Sequence, residues 1–407
     1  MAGVLEGVKV VDFSQVFAGP ALTKLMAELG AEIVKVELPP AGDLARGLPF
    51  LKDGHSAYFV QQNRGKRSVC VDVKHPDGRR LVAELLAAAD VLVQNFSPGV
   101  IERLGFGYDA LAETHPRLVM CSISAFGHEG ELAHKPGFDG LAAAFTGILD
   151  MNGFPDRPPV APGFSPGDYL GGVHGLAGVC AALFHRERTG RGQHVRVSLV
   201  DCYINCHEVN VQMRSASGGA VNPTRFGAHH YIVCPNGTFR APDGWIYFAL
   251  PTDAMFAALC RAMGRPELAA EPRFASNVLR VEHQHELIPL VEAWLAEQGS
   301  AAAAMARLEA ERVPAALVLS VAEAMAHPAL RAQRTVRTVQ DPVFGELDLP
   351  GVPIKLSEFP GEAELVAPRL GEHNRWAVTE ALGRSEAEYL ELAARGVLHA
   401  APGSRED

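Results

Sequence analysis

The sequence predicts an α/β fold, with a mostly parallel sheet covered by helices on both faces and a smaller α+β domain after it. Three observations predict it. From Val8 to Ile123, β-branched runs alternate with stretches of helically spaced apolar residues. A Gly/Asn/Pro-rich stretch at 217–223 interrupts that pattern, and the runs beyond it are short and separated by turn residues. The chain has 407 residues, enough for two or three domains that each bury a core.

Residues 8–13 are a short β-branched run, 21–29 carry apolar residues at helical spacing, and 31–37 are β-rich again, so the chain opens as strand, helix, strand. The same grammar gives strands at 68–73, 91–93 and 118–123 and a helix at 77–89. Strands joined through helices pair in parallel, because the crossover needs the helix to span it. Two helices follow at 138–149 and 168–186. The second carries Gly171, Gly172, Gly175, Ala177 and Gly178, small residues that let another backbone come close. A strand at 194–199 and a helical stretch over 201–215 complete the first segment, 1–215, and the linker is 216–225. In the domain 226–327, residues 231–234, 237–240 and 245–249 read as antiparallel strands broken by Pro235-Asn236-Gly237 and Pro242-Asp243-Gly244. Helices at 253–263, 283–297 and 300–311 and an apolar run at 313–318 follow. The last part, 328–407, is a linker that turns extended and Pro-rich from Gln340 and ends in helices over 371–395.

Lys plus Arg number 37 against 47 Asp plus Glu, a net charge of −10. Nothing builds the positive field that nucleic acid or an anionic membrane surface requires. No apolar run approaches the roughly 18 residues of a membrane span; the greasiest, 176–184, is short. The N-terminus lacks a basic region followed by an apolar one, which argues against export. Seven cysteines, an odd number at scattered spacings, form no disulfide framework, so a reducing cytoplasm is the expected compartment.

The strand-helix-strand opening, closed by Glu37, invites a dinucleotide reading, but the turn at 14–20 holds only Gly19 and lacks G-x-G-x-x-G. An adenine nucleotide can still bind there by other contacts. Cys202 and Cys206, followed by His207, stand at a spacing that suits core packing on a helix, with no second pair at zinc-site spacing. No metal is expected. His229 and His230, and His283 with His285, read as surface or loop histidines. Gly-x-Ser-x-Gly is absent. What remains is Asp168, which follows the Pro/Gly-rich loop 162–167 and opens the small-residue helix. As an N-cap it accepts from first-turn N–H groups, and spacing alone favours that reading. The same placement aims a carboxylate into a cleft, with the helix dipole keeping it ionised.

Ten segments in order resemble one family, the class III CoA-transferases (CaiB/BaiF type) that include formyl-CoA and carnitine CoA-transferases. They run from Leu5 to Phe13 with Ala18-Gly19-Pro20, from Ile33 to Glu37, from Asn63 to Ser68, from Ala89 to Gly99 and from Arg117 to Ser124. Pro136-Gly137-Phe138-Asp139, Gly167-Asp168-Tyr169, Arg186 to Gln193, Gly351 to Ser357 and Ala367 to His373 complete the set. The resemblance implies a large Rossmann-like domain built from the N-terminal half plus the C-terminal tail, a small α+β domain inserted, and two chains interlocked as a homodimer. It implies acyl-CoA and a carboxylic acid as substrates, with no permanently bound cofactor. By position Asp168 matches the family's nucleophile. Val16, Ala18, Val71, Asn95, Phe96, Arg103 and Leu104 match residues that hold the nucleotide and pantetheine portions of CoA. Gln15, Phe17, Lys135, Asp139 and Tyr169 fall around the substrate pocket.

The match has departures. Phe17 stands where the formyl-CoA enzyme has glutamine and Leu38 where it has arginine; a phosphate-binding lysine falls at Pro136, one place from Lys135, and a glycine-run loop is missing. Oxalate and formate therefore fit poorly, and Phe17 with the Tyr169 side is expected to line an apolar pocket for acids of about three to five carbons. The resemblance implies exchange through an aspartyl anhydride and an aspartyl-CoA thioester, and backbone donors near Gly171-Gly172 or in the turn at 14–18 are the candidates for stabilising the oxyanions. Two alternatives stand beside it. An acyl-CoA racemase shares the scaffold and the aspartate but needs a histidine where this chain has Phe138, and without it the two-base reaction loses one base. A silent CoA-binding protein needs no nucleophile, and Asp168 is present.

Overall fold

The computed structural model describes residues 3–359 and 365–401, which form two compact units. One is built from the chain through Thr146, from Pro162–Glu208 and from Pro328 onward; the other from Gly147–Ala161 and Val209–His327. The sequence places 147–161 in the first segment and the linker at 216–225, whereas the second unit takes in 147–161 and begins again at Val209. Side-chain and backbone contacts account for the difference. Asp150 pairs with Arg225, and the Gly227 N–H donates to the Gly153 carbonyl at 3.0 Å, so this short excursion stays with the chain that follows Val209.

The first unit is organised on six strands: β1 Lys9–Asp12, β2 Glu32–Glu37, β3 Lys66–Cys70, β4 Val91–Gln94, β5 Val119–Ser124 and β6 His194–Ser198. Their order is β3-β2-β1-β4-β5-β6, and every neighbouring pair is parallel. β4 and β5 are buried along their whole length, as expected for strands covered on both faces. The five helices that matter most are α1 Ala18–Glu28, α2 Pro76–Ala87, α3 Asp139–Phe145, α4 Pro166–Thr189 and α5 Leu199–Asn205. The chain winds outward from β1 to β3, then returns to the other side of β1 as β4. That reversal opens a crevice beyond the carboxyl ends of β1 and β4.

α4 lies against α1, and its glycines explain the distance. A Cβ on Gly172 would sit 2.7 Å from the Ala18 carbonyl oxygen and 3.2 Å from Ala21 Cβ. The small-residue face is therefore a packing face. It fixes the first turn of α4 beside the first turn of α1.

The C-terminal segment packs on β3. Asn374 accepts from the Cys70 N–H at 2.9 Å and donates to the His399 carbonyl at 2.7 Å, while Ser68 Oγ accepts from the Gly371 N–H at 2.9 Å. Val378, Tyr389, Leu392, Val397 and Leu398 join the strand side chains in one core. The helices expected over 371–395 occur as short pieces at Asn374–Trp376, Ala377–Ala381 and Glu386–Ala394. The segment expected to be merely extended forms an antiparallel hairpin, Val336–Asp341 with Gly345–Pro350.

The second unit has its own antiparallel sheet, in which Gly244–Ala249 lies between Asn236–Ala241 and Ala315–Leu317. Helices Asp253–Ala262, Gln284–Ala296 and Ala301–Ala310 cover a core that includes Phe239, Phe248, Phe256, Phe274 and Trp294. The strand expected at 231–234 does not form. Its backbone groups are claimed by side chains instead: Asn277 accepts from the Cys234 N–H and donates to the Ile232 carbonyl, and Arg280 donates to the Cys234 carbonyl. Two helices also divide. The stretch 138–149 breaks at Gly147, which has φ +81°, and 201–215 separates into Leu199–Asn205 and Asn210–Ala216. Among the described residues no helix is long and apolar enough to cross a membrane.

Candidate active site

The crevice is lined by a loop whose shape is fixed residue by residue. After β1 the chain runs through Ser14, Gln15 and Val16 into α1, with Phe17 as its N-cap. Asn95, just past β4, accepts from the Gln15 N–H and donates to the Gln15 carbonyl, both at 2.8 Å. Both polar ends of its amide are thus used on the loop. Asp43 Oδ1 accepts from the Val16 N–H at 2.9 Å. Val16 itself has φ +66°, a left-handed conformation that is strained for a β-branched residue.

A buried charge network underlies this loop. Lys35 donates to the Ser14 carbonyl at 2.6 Å and pairs with Asp43 at 2.9 Å, and neither side chain is more than 1% exposed. Burial alone would raise the Asp43 pKa, but Lys35 and hydrogen bonds from Ala45 and Val16 bring it below the usual carboxylate range. Asp12 accepts from Thr23 at 2.7 Å and pairs with Lys66 at 3.1 Å. Glu37 accepts from Arg46 and Ser68. Buried charges persist only when paired and hydrogen-bonded in this way.

Asp168 is the third residue of α4, not its N-cap; Ser165 holds that place, with Pro166 first in the helix. The capping role expected of Asp168 is taken by another residue. Asp139, which opens α3, accepts from the Asp168 N–H at 2.9 Å and from the Tyr203 hydroxyl at 2.9 and 2.8 Å. Gly167 permits this approach, since a Cβ there would lie 2.3 Å from the Tyr203 ring. Asp168's own carboxylate takes no hydrogen bond from the described residues. Burial first, and the Asp139 charge second, push its pKa up to about 7. The helix dipole does not dominate, contrary to the expectation that it would keep the group ionised.

Asp168 faces a cavity of about 290 Å³ with Gln15, Val16, Phe17, Ala18, Asn95, Phe96, Pro136 and Phe138 in its wall. Among the described lining residues it is the one acidic or basic side chain. Tyr58 and Tyr169 add an aromatic rim, their rings 6.3 and 6.4 Å from that of Phe17. Burial and then Asp168 push the Tyr58 hydroxyl up to about 12, so it stays a neutral donor.

The other sequence candidates lie outside the cavity wall. Val71 is fully buried in the core and Leu104, partly buried, packs against it. Arg103 ends the short helix Val100–Arg103 and is exposed. Lys135 is exposed with its ammonium 5.7 Å from the Phe145 ring. Gly171 and Gly172 lie beyond the first turn of α4, where backbone N–H groups donate to carbonyls of the helix rather than to the cavity. Sequence reasoning missed Lys35, Asp43, Tyr58 and Tyr203. Lys35 was detectable, as a charge in the middle of a β run.

Residues 5–374 match the family described as CoA-transferase family III. The chain belongs to this family. It is 35% identical to the succinyl-CoA–L-malate CoA-transferase beta subunit of Chloroflexus aurantiacus, over 97% of this chain and 98% of the other. It is 38% identical to the acetyl-CoA:oxalate CoA-transferase of Acetobacter aceti, over 91% and 94%. Among solved structures, a CaiB/BaiF family protein from Brucella suis superposes with a TM-score of 0.81 at 34% identity, covering 96% of this chain and 100% of that one. The protein is a class III CoA-transferase with acyl-CoA as substrate.

Proposed function

We propose that Asp168 is the nucleophile that carries the acyl group and then CoA between two carboxylic acids. The observation that supports this reading is an unpaired carboxylate with a raised pKa, the one charged side chain described in the wall of a mostly apolar cavity. Ionised Asp168 attacks the donor thioester carbonyl, forming a mixed anhydride and releasing CoA thiolate. The thiolate attacks the aspartyl carbonyl, giving an aspartyl-CoA thioester and the donor carboxylate. An acceptor carboxylate then attacks that thioester to give a second anhydride, and the thiolate takes the acceptor acyl group, regenerating Asp168. The N–H groups of Phe17 and Ala18 begin α1 without an acceptor among the described residues, and we assign them to the developing oxyanions.

Substrate choice follows the wall. Phe17, Phe96 and Phe138 make it apolar, which suits acids of about three to five carbons rather than oxalate or formate. Two relatives are named for succinyl-CoA with malate or glutarate, so succinyl-CoA with dicarboxylates of that size is the first pair to test. CoA's nucleotide and pantetheine portions are assigned to the Val16, Ala18, Val71, Asn95, Phe96, Arg103 and Leu104 side, and Lys135, one place from cavity-lining Pro136, to its phosphates. The working form is a cytoplasmic homodimer, consistent with exposed Phe138, Leu141, Phe145 and Phe164. Mass spectrometry of donor and acceptor panels tests the exchange. Asp168→Asn should abolish it, and hydroxylamine should trap acyl label on the peptide carrying Asp168; an active Asn variant refutes the mechanism.

A further inference from the structure

We propose that Asp43 is a positioning residue for CoA transfer: locked by Lys35, it holds Val16 in the left-handed conformation that turns the Phe17 and Ala18 N–H groups toward Asp168. The inference rests on the reading just given, that these two N–H groups stabilise the oxyanions.

A β-branched residue at φ +66° adopts that conformation only when its surroundings impose it. The imposing contact is visible. Asp43 Oδ1 accepts from the Val16 N–H and from the Ala45 N–H, both at 2.9 Å, while Oδ2 pairs with Lys35. Lys35 in turn donates to the carbonyl of Ser14, two residues before Val16. One ion pair therefore grips the loop on both sides of Gln15, at the Ser14 carbonyl and at the N–H of the strained Val16, and Asn95 fixes Gln15 between them. Asp43 cannot drift, because its own N–H donates to Glu37 at 3.0 Å and its side chain is fully buried. Without the clamp Val16 relaxes toward negative φ. Its rotation carries the Phe17 and Ala18 N–H groups away from the first turn of α4.

Glycine provides the test, because it occupies positive φ without strain and needs no clamp there. A double-mutant cycle of Asp43→Ala and Val16→Gly is measured at saturating acyl-CoA, at a temperature well below every variant's melting point. Loss of fold alone changes melting and leaves the turnover of folded molecules untouched, whereas lost positioning lowers kcat. Asp43→Ala should lower kcat about 100-fold in the Val16 background, the scale of a reacting group misplaced by an ångström. In the Val16→Gly background the same change should cost about 10-fold or less, and within each background Asp43→Ala should alter the KM for acyl-CoA by less than about threefold. If Asp43→Ala does not fold, Asp43→Asn replaces it: the isosteric amide loses the Lys35 charge pair, and its smaller kcat loss should shrink in the same way. Equal losses in both backgrounds, or no loss of kcat, overturns the proposal. Failure of the nucleophile reading is separately visible, as an Asp168→Asn enzyme that still turns over.

Discussion

Replacing Asp168 by asparagine should make the protein more stable, and increasingly so as the pH rises. Burial and the Asp139 charge raise the Asp168 pKa from 3.8 to about 7. The unfolded chain therefore loses this proton near pH 4, while the native state keeps it until near pH 7. Between these values the native state binds more protons, so each step upward in pH lowers the stability of the wild type. Above about pH 7 the penalty is complete. Roughly three pH units at 1.36 kcal/mol each give about 4 kcal/mol, and partial exposure of the group reduces that to about 2–4 kcal/mol. Asparagine has no proton to lose, and its other effects are the same at either pH. Urea titrations of wild type and Asp168→Asn at pH 5 and pH 8, at one protein concentration, should show the variant's advantage growing by about 1–3 kcal/mol. An advantage that does not change between the two pH values refutes the raised pKa.

The same shift predicts kcat/KM rising with pH through an apparent pKa near 7, and Asp139→Asn should move that limb to lower pH, since it removes the charge but not the burial; an unmoved limb counts against the coupling. Gly172→Val should destabilise by about 1–3 kcal/mol and lower kcat, because its side chain meets the Ala18 carbonyl and pushes the first turn of α4 from that of α1; the midpoint in urea and the turnover number measure the two effects. Light scattering should give twice the 43.5 kDa chain mass, and a single species at the chain mass at micromolar concentration would remove the dimer.

The sheet was legible because its central strands β1, β2, β4 and β5 carry Val and Ile runs next to helices, the mark that parallel strands buried on both faces leave in sequence. The first turn of α4 was misread by three residues. Ser165-Pro166 carries an N-cap followed by proline at the first helical position, but Asp168 is an equally good N-cap residue type, and the proline/glycine-rich stretch before it reads as loop. Val71 is fully buried and Leu104 packs against the same core, as any apolar side chain on a buried strand or short helix can, so their assignment to CoA rests on the resemblance alone. Asp43 was invisible for the opposite reason. Its partners Lys35 and Val16 lie earlier in the chain and meet it only through the sheet and the turn that follows β2, so no spacing rule connects them.

Burial has a double effect at Asp168 under the proposed mechanism. An anhydride survives only where water is scarce, and removing water from around a carboxylate raises its pKa and sharpens its attack when ionised. A fully dry site would leave the group protonated at neutral pH and idle. A pKa of about 7 lies between these limits, with roughly half of the molecules ionised at pH 7. Asp139 bears on both sides of that balance. Its charge helps hold the pKa up, while its acceptance of the Asp168 N–H fixes the backbone from which the nucleophile projects. Tyr203, donating to both oxygens of Asp139, keeps that carboxylate turned toward the helix end. The charge that tunes the nucleophile and the hydrogen bond that places it therefore come from one side chain, which is why Asp139→Asn, an amide that keeps an acceptor and loses the charge, can separate the two.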